Sequence, residues 1–271
     1  MFTVGVLTPH AAAGPEFELP AMAPGGLQVV VERIPVGAAA STRPPAAAAE
    51  LRALATTSAL RGGVAALREA SVDAIAYAST TTAYAIGSAT EAVLAESLRR
   101  MAGVPVATSG LAASHALRAC GVNRVALAHP PWFEIEMSAL GTAYFREQGI
   151  DAVALTPARL PTDPIRVRPE QVIDWISSEV GGSTEAVFIA GSGFRGALAI
   201  AELERRTGKL VLEANQLLLW SILAEVGAAP EVDGYGRLFR TTPDLGILAP
   251  SAKLIRTDSS DLPATAQPRQ H

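Results

Sequence analysis

Cysteine is nearly missing from this chain: Cys120 is the only one among 271 residues. A single thiol excludes an intramolecular disulfide and a Cys-rich metal site together. Histidine is scarce too, with four in all, and neither a His-x-x-Glu-His pattern nor a Cys pair offers a zinc-binding spacing. No metal is therefore expected. An excess of charge of one sign is lacking as well, because 22 Lys and Arg stand against 26 Asp and Glu, scattered along the chain. Without a basic stripe to neutralise phosphates, nucleic acid is not an expected partner. Long apolar runs are also absent. The N-terminal MFTVGVLTPH has no basic leader, and LLLW near Trp220 falls far short of the roughly 20 residues of a membrane span. The expectation is a soluble, cytoplasmic chain with no membrane partner.

What the chain has is a 49% apolar composition in an alternating pattern. Short β-branched runs alternate with longer Ala- and Leu-rich stretches of helical period, as in βα units that feed parallel strands. The pattern predicts strands near 2–8, 27–34, 73–78, 104–107, 124–128, 151–156, 185–190 and 209–213. Helices are predicted at 46–71 with a break at Gly62 and Gly63, and at 83–101, 110–119, 133–148, 169–180, 193–207 and 214–226. Pro169 at a first turn and Gly149 after a last one are suitable start and stop signals.

The second half repeats the first. FTVGVLTPH at 2–10 pairs with VNRVALAHP at 122–130, DAIAYAST at 73–80 with EAVFIAGS at 185–192, and AESLRRMAGVPV with AELERRTGKLVL. Three matched blocks in one order indicate duplication. The expected fold is thus α/β, with two similar Rossmann-like subdomains, each a four-stranded parallel sheet flanked by helices, related by a pseudo-twofold. The first subdomain would take 1–108 plus 214–250 and the second 109–213, with a disordered tail at 251–271. The Ala-Pro-rich stretch 37–50 reads as a connector that could cover a crevice.

In such sheets ligands bind beyond the carboxyl ends of the strands. Four strand ends carry suitable groups: Thr8 to His10; Ser79, Thr80 and Thr81; His129 to Pro131; and Gly191, Ser192 and Gly193. At Ser79 and Gly191 a helix is expected to begin at once, turning unpaired N–H groups toward an anion. His10 and His129 are the candidate proton carriers, since imidazole titrates near neutrality. His115 and His271 read as surface residues, and Cys120 as a small half-buried hydrophobe. GSGFRG at 191–196, with Glu213 about one βα unit further on, also fits the dinucleotide fingerprint, which normally opens a fold and here comes late.

These strand ends, together with GVLTP, PEF at 15–17, LEANQLLLW at 212–220 and GYGRLF at 234–239, resemble the aspartate/glutamate racemase superfamily. Within it the likeness is to the maleate cis-trans isomerase and arylmalonate decarboxylase branch. The resemblance implies cofactor-free chemistry beside a carboxylate, with cysteines at the two symmetric strand ends. Here those positions read Ser79 and Gly191, the usual tyrosine after the third strand end reads Pro131, and His10 lies near the place of a carboxylate-binding asparagine. Two-thiol racemisation is excluded, because a hydroxyl needs a neighbouring base and glycine supplies nothing. The expectation is an isomerase or lyase for a small carboxylic acid. Ser79, His10 and His129 would be catalytic, with Thr80, Thr81, Pro131, Gly191, Ser192, Gly193 and Asn215 binding substrate. A carboxylate-binding protein that has lost catalysis is the alternative, and the resemblance implies a homodimer.

Overall fold

The fold was obtained as a computed structural model, which describes residues 1–23, 26–34, 47–228 and 232–241. The tail, His271 and most of the 37–50 stretch lie outside the described residues. Two four-stranded sheets, all parallel, form the frame. The first contains β1 (Phe2–Thr8), β2 (Leu27–Arg33), β3 (Ala74–Tyr77) and β4 (Val106–Thr108). The second contains β5 (Arg124–Ala128), β6 (Asp151–Ala154), β7 (Ala186–Ile189) and β8 (Leu210–Glu213). The strand orders, β2-β1-β3-β4 and β6-β5-β7-β8, are the same topology twice. The duplication read from the sequence is a duplication of architecture.

Ten α-helices connect these strands among the described residues: α1 (Pro15–Met22), α2 (Ala48–Leu54), α3 (Thr57–Glu69), α4 (Thr80–Ile86), α5 (Ser88–Ala102), α6 (Ser109–Ala119), α7 (Ile135–Arg146), α8 (Pro169–Glu179), α9 (Ile200–Thr207) and α10 (Ala214–Glu225). One outer face of the first sheet packs Leu7, Ile75 and Tyr77 against Leu60, Val64 and Leu67 of α3 and Leu94 and Leu98 of α5. The other face contributes Val4, Val6, Ala74 and Ala76 to a core that continues through Val125, Leu127, Val187, Phe188 and Val211 of the second sheet. Helix α10 crosses back from the second sheet to pack on α1, β3, β4 and α6. Its residues from Ala214 to Ile222 are buried, so it is enclosed around its whole circumference.

Several boundaries differ from the sequence expectation, each for a local reason. The break in the 46–71 helix falls at Ala55 and Thr56, where Thr56 caps α3 by accepting from Ala59 N–H. Gly62 and Gly63 sit inside α3, and a Cβ at Gly63 would come 2.5 Å from Leu7 Cδ1. Glycine there permits close packing of helix on sheet and is no stop signal. The 83–101 helix starts earlier and breaks at Gly87, whose φ is +77°. A short helix at Pro15–Met22 went unread because Pro20 lies inside it. The helix expected from 193 begins only at Ile200, after an extended loop and one 3₁₀ turn at Ala197–Ala199.

Candidate functional site

In each sheet the chain turns from one edge to the other between the first and third strands, so the crevices open beyond β1/β3 and β5/β7. His10, Ser79, His129 and Gly191 all follow these four strands. Ser79 is extended, 1% exposed, and caps α4 by accepting from Thr82 N–H at 3.2 Å. Ser79 Oγ also lies 2.7 Å from Thr82 Oγ1 and 2.8 Å from His10 Nε2. Thr81 Oγ1 completes the group, 3.1 Å from His10 Nε2 and 3.4 Å from Ser79 Oγ. The Ser79 N–H donates to Ser109 Oγ at 3.2 Å. His10 is seated by its own backbone N–H, which donates to Thr8 Oγ1, while Thr8 donates to the carbonyl of Ala78. Burial pushes the His10 imidazole down to about 4, so it is neutral at pH 7.

The two halves touch here. Gly191 N–H donates to Thr80 Oγ1 at 3.3 Å. The loop after β1 lies against the loop after β7: Gly14 abuts the Ser192 carbonyl with no room for a side chain, and a Cβ at Gly193 would meet Ala12 Cβ at 2.8 Å. Arg195, at φ +58°, donates through Nε to the carbonyl of Ala13 and stacks 4.4 Å over Phe17. Below this contact Asn215, fully buried, donates through Nδ2 to Glu18 (2.5 Å) and to the carbonyl of Ser192 (2.8 Å). Glu18 accepts in addition from Ala197 N–H. Burial raises Glu18 to about 7, and burial together with the Glu18 charge holds Glu213 well above the usual carboxylate range. Glu18 and Glu213 are thus two buried carboxylates that each favour the protonated form in the presence of the other.

The sequence expectations fare unevenly against this geometry. Ser79, His10, Thr80 and Thr81 form one polar cluster with Gly191 hydrogen-bonded to its edge. Ser192 and Gly193 lie on the adjoining loop, but no helix starts there, so that anion seat is corrected to a loop braced by the first half. Asn215 gives its Nδ2 donors to Glu18 and the Ser192 carbonyl, bracing the loop from beneath, while its Oδ1 is buried with no partner among the described residues. Pro131 is half-buried in the turn after β5, closed by Phe133 N–H donating to the Pro130 carbonyl. His129 is set among aromatic rings, stacked on Phe133 (5.3 Å between centroids) and edge-on to Tyr84 (5.7 Å). Its Nδ1 is 3.1 Å from Ser138 Oγ, and its Nε2 has no hydrogen-bond partner among the described residues. Burial lowers it to about 4 as well, yet no hydrogen bond joins it to the Ser79 cluster.

The dinucleotide reading of GSGFRG also loses its frame. Glu213, needed at a ribose, is fully buried and caps α10 by accepting from Asn215 and Gln216 N–H. Unforeseen contributors are Thr82, Glu18 and the Trp132–Phe133 turn. Thr82 was within reach of a sequence reading, since a hydroxyl three residues after a helix-capping Ser faces that Ser. Glu18 gave no signal, because its helix was unread. A small cavity of about 50 Å³ opens beside Thr81, walled by Ala47, Ala48, Trp132, Phe133 and Met137, with Glu134 and Glu136 at its rim. Among the described residues no group of His, Cys, Asp and Glu is placed to hold a metal, and no helix is long and apolar enough to cross a membrane.

The paired four-stranded parallel sheets define an architecture shared with solved enzymes. The maleate isomerase Iso of Pseudomonas putida S16, solved with maleate, superposes with a TM-score of 0.76 over 89% of this chain and 98% of its own, at 23% identity. The maleate cis-trans isomerase of Nocardia farcinica gives 0.77 over 89% and 98%, at 21% identity. At such identities the likeness establishes the fold. In sequence, the arylmalonate decarboxylase of Bordetella bronchiseptica is 27% identical over 168 residues, 59% of this chain and 68% of that protein. Residues 55–239 match the family model for arylmalonate decarboxylase, and the chain belongs to that family.

Proposed function

We propose that this chain is a cofactor-independent isomerase or lyase of a small carboxylic acid, in which the His10–Ser79 pair moves the proton. The observation that carries the proposal is the 2.8 Å approach of His10 Nε2 to Ser79 Oγ, at the strand end where the family resemblance expects a thiol. A thiol with a pKa of about 8.5 supplies thiolate near neutrality unaided, whereas a hydroxyl needs a base beside it. His10, held neutral by burial, is that base. The relatives support the substrate class, being an arylmalonate decarboxylase and isomerases of maleate.

The substrate carboxylate would rest on the hydroxyls of Thr80, Thr81 and Ser192. For isomerisation, His10 takes a proton from the carbon next to the carboxylate and charge passes onto the carboxylate oxygens as an enediolate. Hydroxyl donors aimed at that charge lower the barrier. The proton then returns to a different carbon. For decarboxylation the same enediolate forms as CO2 leaves, Ser79 O–H protonates it at carbon, and a proton from solvent, relayed through His10 Nε2, restores the serine hydroxyl. Asn215 and Glu18 serve by fixing the Ser192 loop.

Incubating the protein with small mono- and dicarboxylates in D2O, with NMR detection, tests the reading. Exchange or conversion should occur and should vanish in His10→Ala and Ser79→Ala; turnover unchanged by either substitution overturns it. One observation favours a second reading. Gly191 places no acid or base at the other strand end, and His129 has no contact with the cluster, as in a carboxylate-binding protein without catalysis. That protein would be stabilised thermally by a dicarboxylate that emerges chemically unchanged. A homodimer is part of the same proposal, and sedimentation equilibrium at micromolar protein tests it.

A further inference from the structure

We propose a second activity for this chain: Ser79 is a nucleophile toward carbonyl carbon, and the protein hydrolyses small acyl esters. The inference goes beyond the acid–base reading, since it requires a covalent bond to oxygen and no carboxylate on the substrate.

Four observations carry it. The Ser79 hydroxyl has one proton, and among the described residues the only acceptor beside it that is not itself a hydroxyl is His10 Nε2, at 2.8 Å and free to accept in the Nδ1–H tautomer. The remaining approaches to Oγ include Thr82 N–H, which donates at 3.2 Å, and the Thr82 hydroxyl at 2.7 Å. With its own proton turned to His10, the Ser79 oxygen accepts from the Thr82 N–H and is open to the Thr82 hydroxyl as a second donor, and both stabilise it as it gains negative charge. A purely structural helix cap needs only the Thr82 N–H; it does not need an imidazole.

Access is the second point. Thr81 touches both members of the pair and also lines the cavity with Trp132, Phe133, Glu134, Glu136 and Met137, so an ester carbonyl would reach Ser79, itself 1% exposed, past the Thr81 side chain. A volume of about 50 Å³ suits a short acyl group. The third point is the supply of donors for a developing oxyanion. Thr80 Oγ1 accepts from Gly191 N–H, which leaves its own proton free, and Ser192 Oγ is buried with no partner among the described residues. The fourth is that burial keeps His10 unprotonated, as a general base must be.

The balanced cycle is an ester hydrolysis. Ser79 Oγ bonds to the carbonyl carbon as its proton passes to His10 Nε2. The tetrahedral adduct collapses, the carbon–oxygen bond to the alcohol breaks, and the alcohol leaves with the proton from His10. Water then adds to the acyl-serine, His10 accepts its proton, and the carboxylic acid departs as Ser79 Oγ recovers the proton.

The test uses the full chain with p-nitrophenyl acetate and, separately, a fluorophosphonate that labels activated serines irreversibly. Expected are p-nitrophenol release about tenfold or more above the Ser79→Ala variant, and one phosphonate adduct mapped by mass spectrometry to Ser79. His10→Gln should slow both by about tenfold or more. Wild-type protein that stays unlabelled at Ser79 overturns the inference, and so does labelling that His10→Gln leaves unchanged. The wild-type adduct map decides the matter even where a variant does not fold. Deuterium exchange on a carboxylic acid without any adduct removes this inference alone; an adduct without exchange on any acid removes the acid–base reading and leaves this one standing.

Discussion

The two halves share strand order but not chemistry at their strand ends. Beyond β1 and β3 the chain gathers hydroxyls and an imidazole in mutual hydrogen-bonding distance: His10, Ser79, Thr81 and Thr82. Beyond β5 and β7 the equivalent ground holds Pro130, Phe133, Gly191 and a histidine stacked against an aromatic ring. The two crevices therefore differ in what their imidazoles meet: His10 reaches the strand-end Ser79, whereas His129 meets Ser138 of α7. A histidine after a strand is not by itself a catalytic group. His129 is buried and His10 half-buried, both are neutral at pH 7, and what separates them is the company they keep.

That contrast can be broken most directly by exchanging the histidines for inert residues. His10→Ala should lower turnover of the true substrate by roughly 10²–10⁴-fold, the usual worth of a positioned acid–base group. His129→Asn should change kcat by less than about threefold. Equal losses in steady-state kinetics would show that the aromatic end is catalytic too.

The next largest effect concerns stability against pH. His129 titrates near 6.5 in the unfolded chain and near 4 in the folded one, so between those values the unfolded state binds the extra proton. Stability should therefore rise with pH across that window, by on the order of 3 kcal/mol from this residue, and be flat above it. Glu18 works the opposite way: raised to about 7, it costs stability as pH climbs from its unfolded value near 4.5. The wild-type minus His129→Asn difference curve from urea melts at pH 4.5 to 7.5 isolates the histidine, and a difference independent of pH would contradict its burial.

Restoring sulfur to each strand end sharpens the comparison further. Gly191 has φ +90°, and a Cβ there would sit 3.1 Å from Pro130 Cγ. Gly191→Cys should cost roughly 1–3 kcal/mol in strain, while Ser79→Cys, at an extended φ of −155°, should stay within about 1 kcal/mol of wild type. Denaturant midpoints at fixed slope read both. The smallest effect is expected at Ser138, whose hydroxyl meets His129 Nδ1: Ser138→Ala should lose about 1 kcal/mol and leave kcat untouched.

Much of the fold was legible because parallel sheets write themselves as short buried runs, and because three blocks repeat in order. Its errors arose where tertiary contact overrides local signals. Gly62 and Gly63 looked like a break and instead let α3 approach Leu7; the 193–199 segment looked helical and instead packs Gly193 against Ala12 and gives its Ala197 N–H to Glu18. The strand-end positions Ser79 to Thr81 could be found from sequence, since strand ends are where such sheets bind. The pairing of His10 with Ser79 could not, since it joins residues 69 apart and no periodicity encodes it. His129 was grouped with His10 by the repeat, and only the rings of Tyr84 and Phe133 around it reveal the difference.

Helix α10 imposes an order on the making of this molecule. It begins at Ala214 yet covers β3 and β4, which end at Thr108. A ribosome adding roughly 5–20 residues per second must extend the chain by roughly a hundred residues before the first sheet can be sealed. Throughout that interval the nascent protein displays an apolar sheet face to its surroundings. A message truncated before codon 214 would yield a product prone to capture by chaperones, however complete its first four strands.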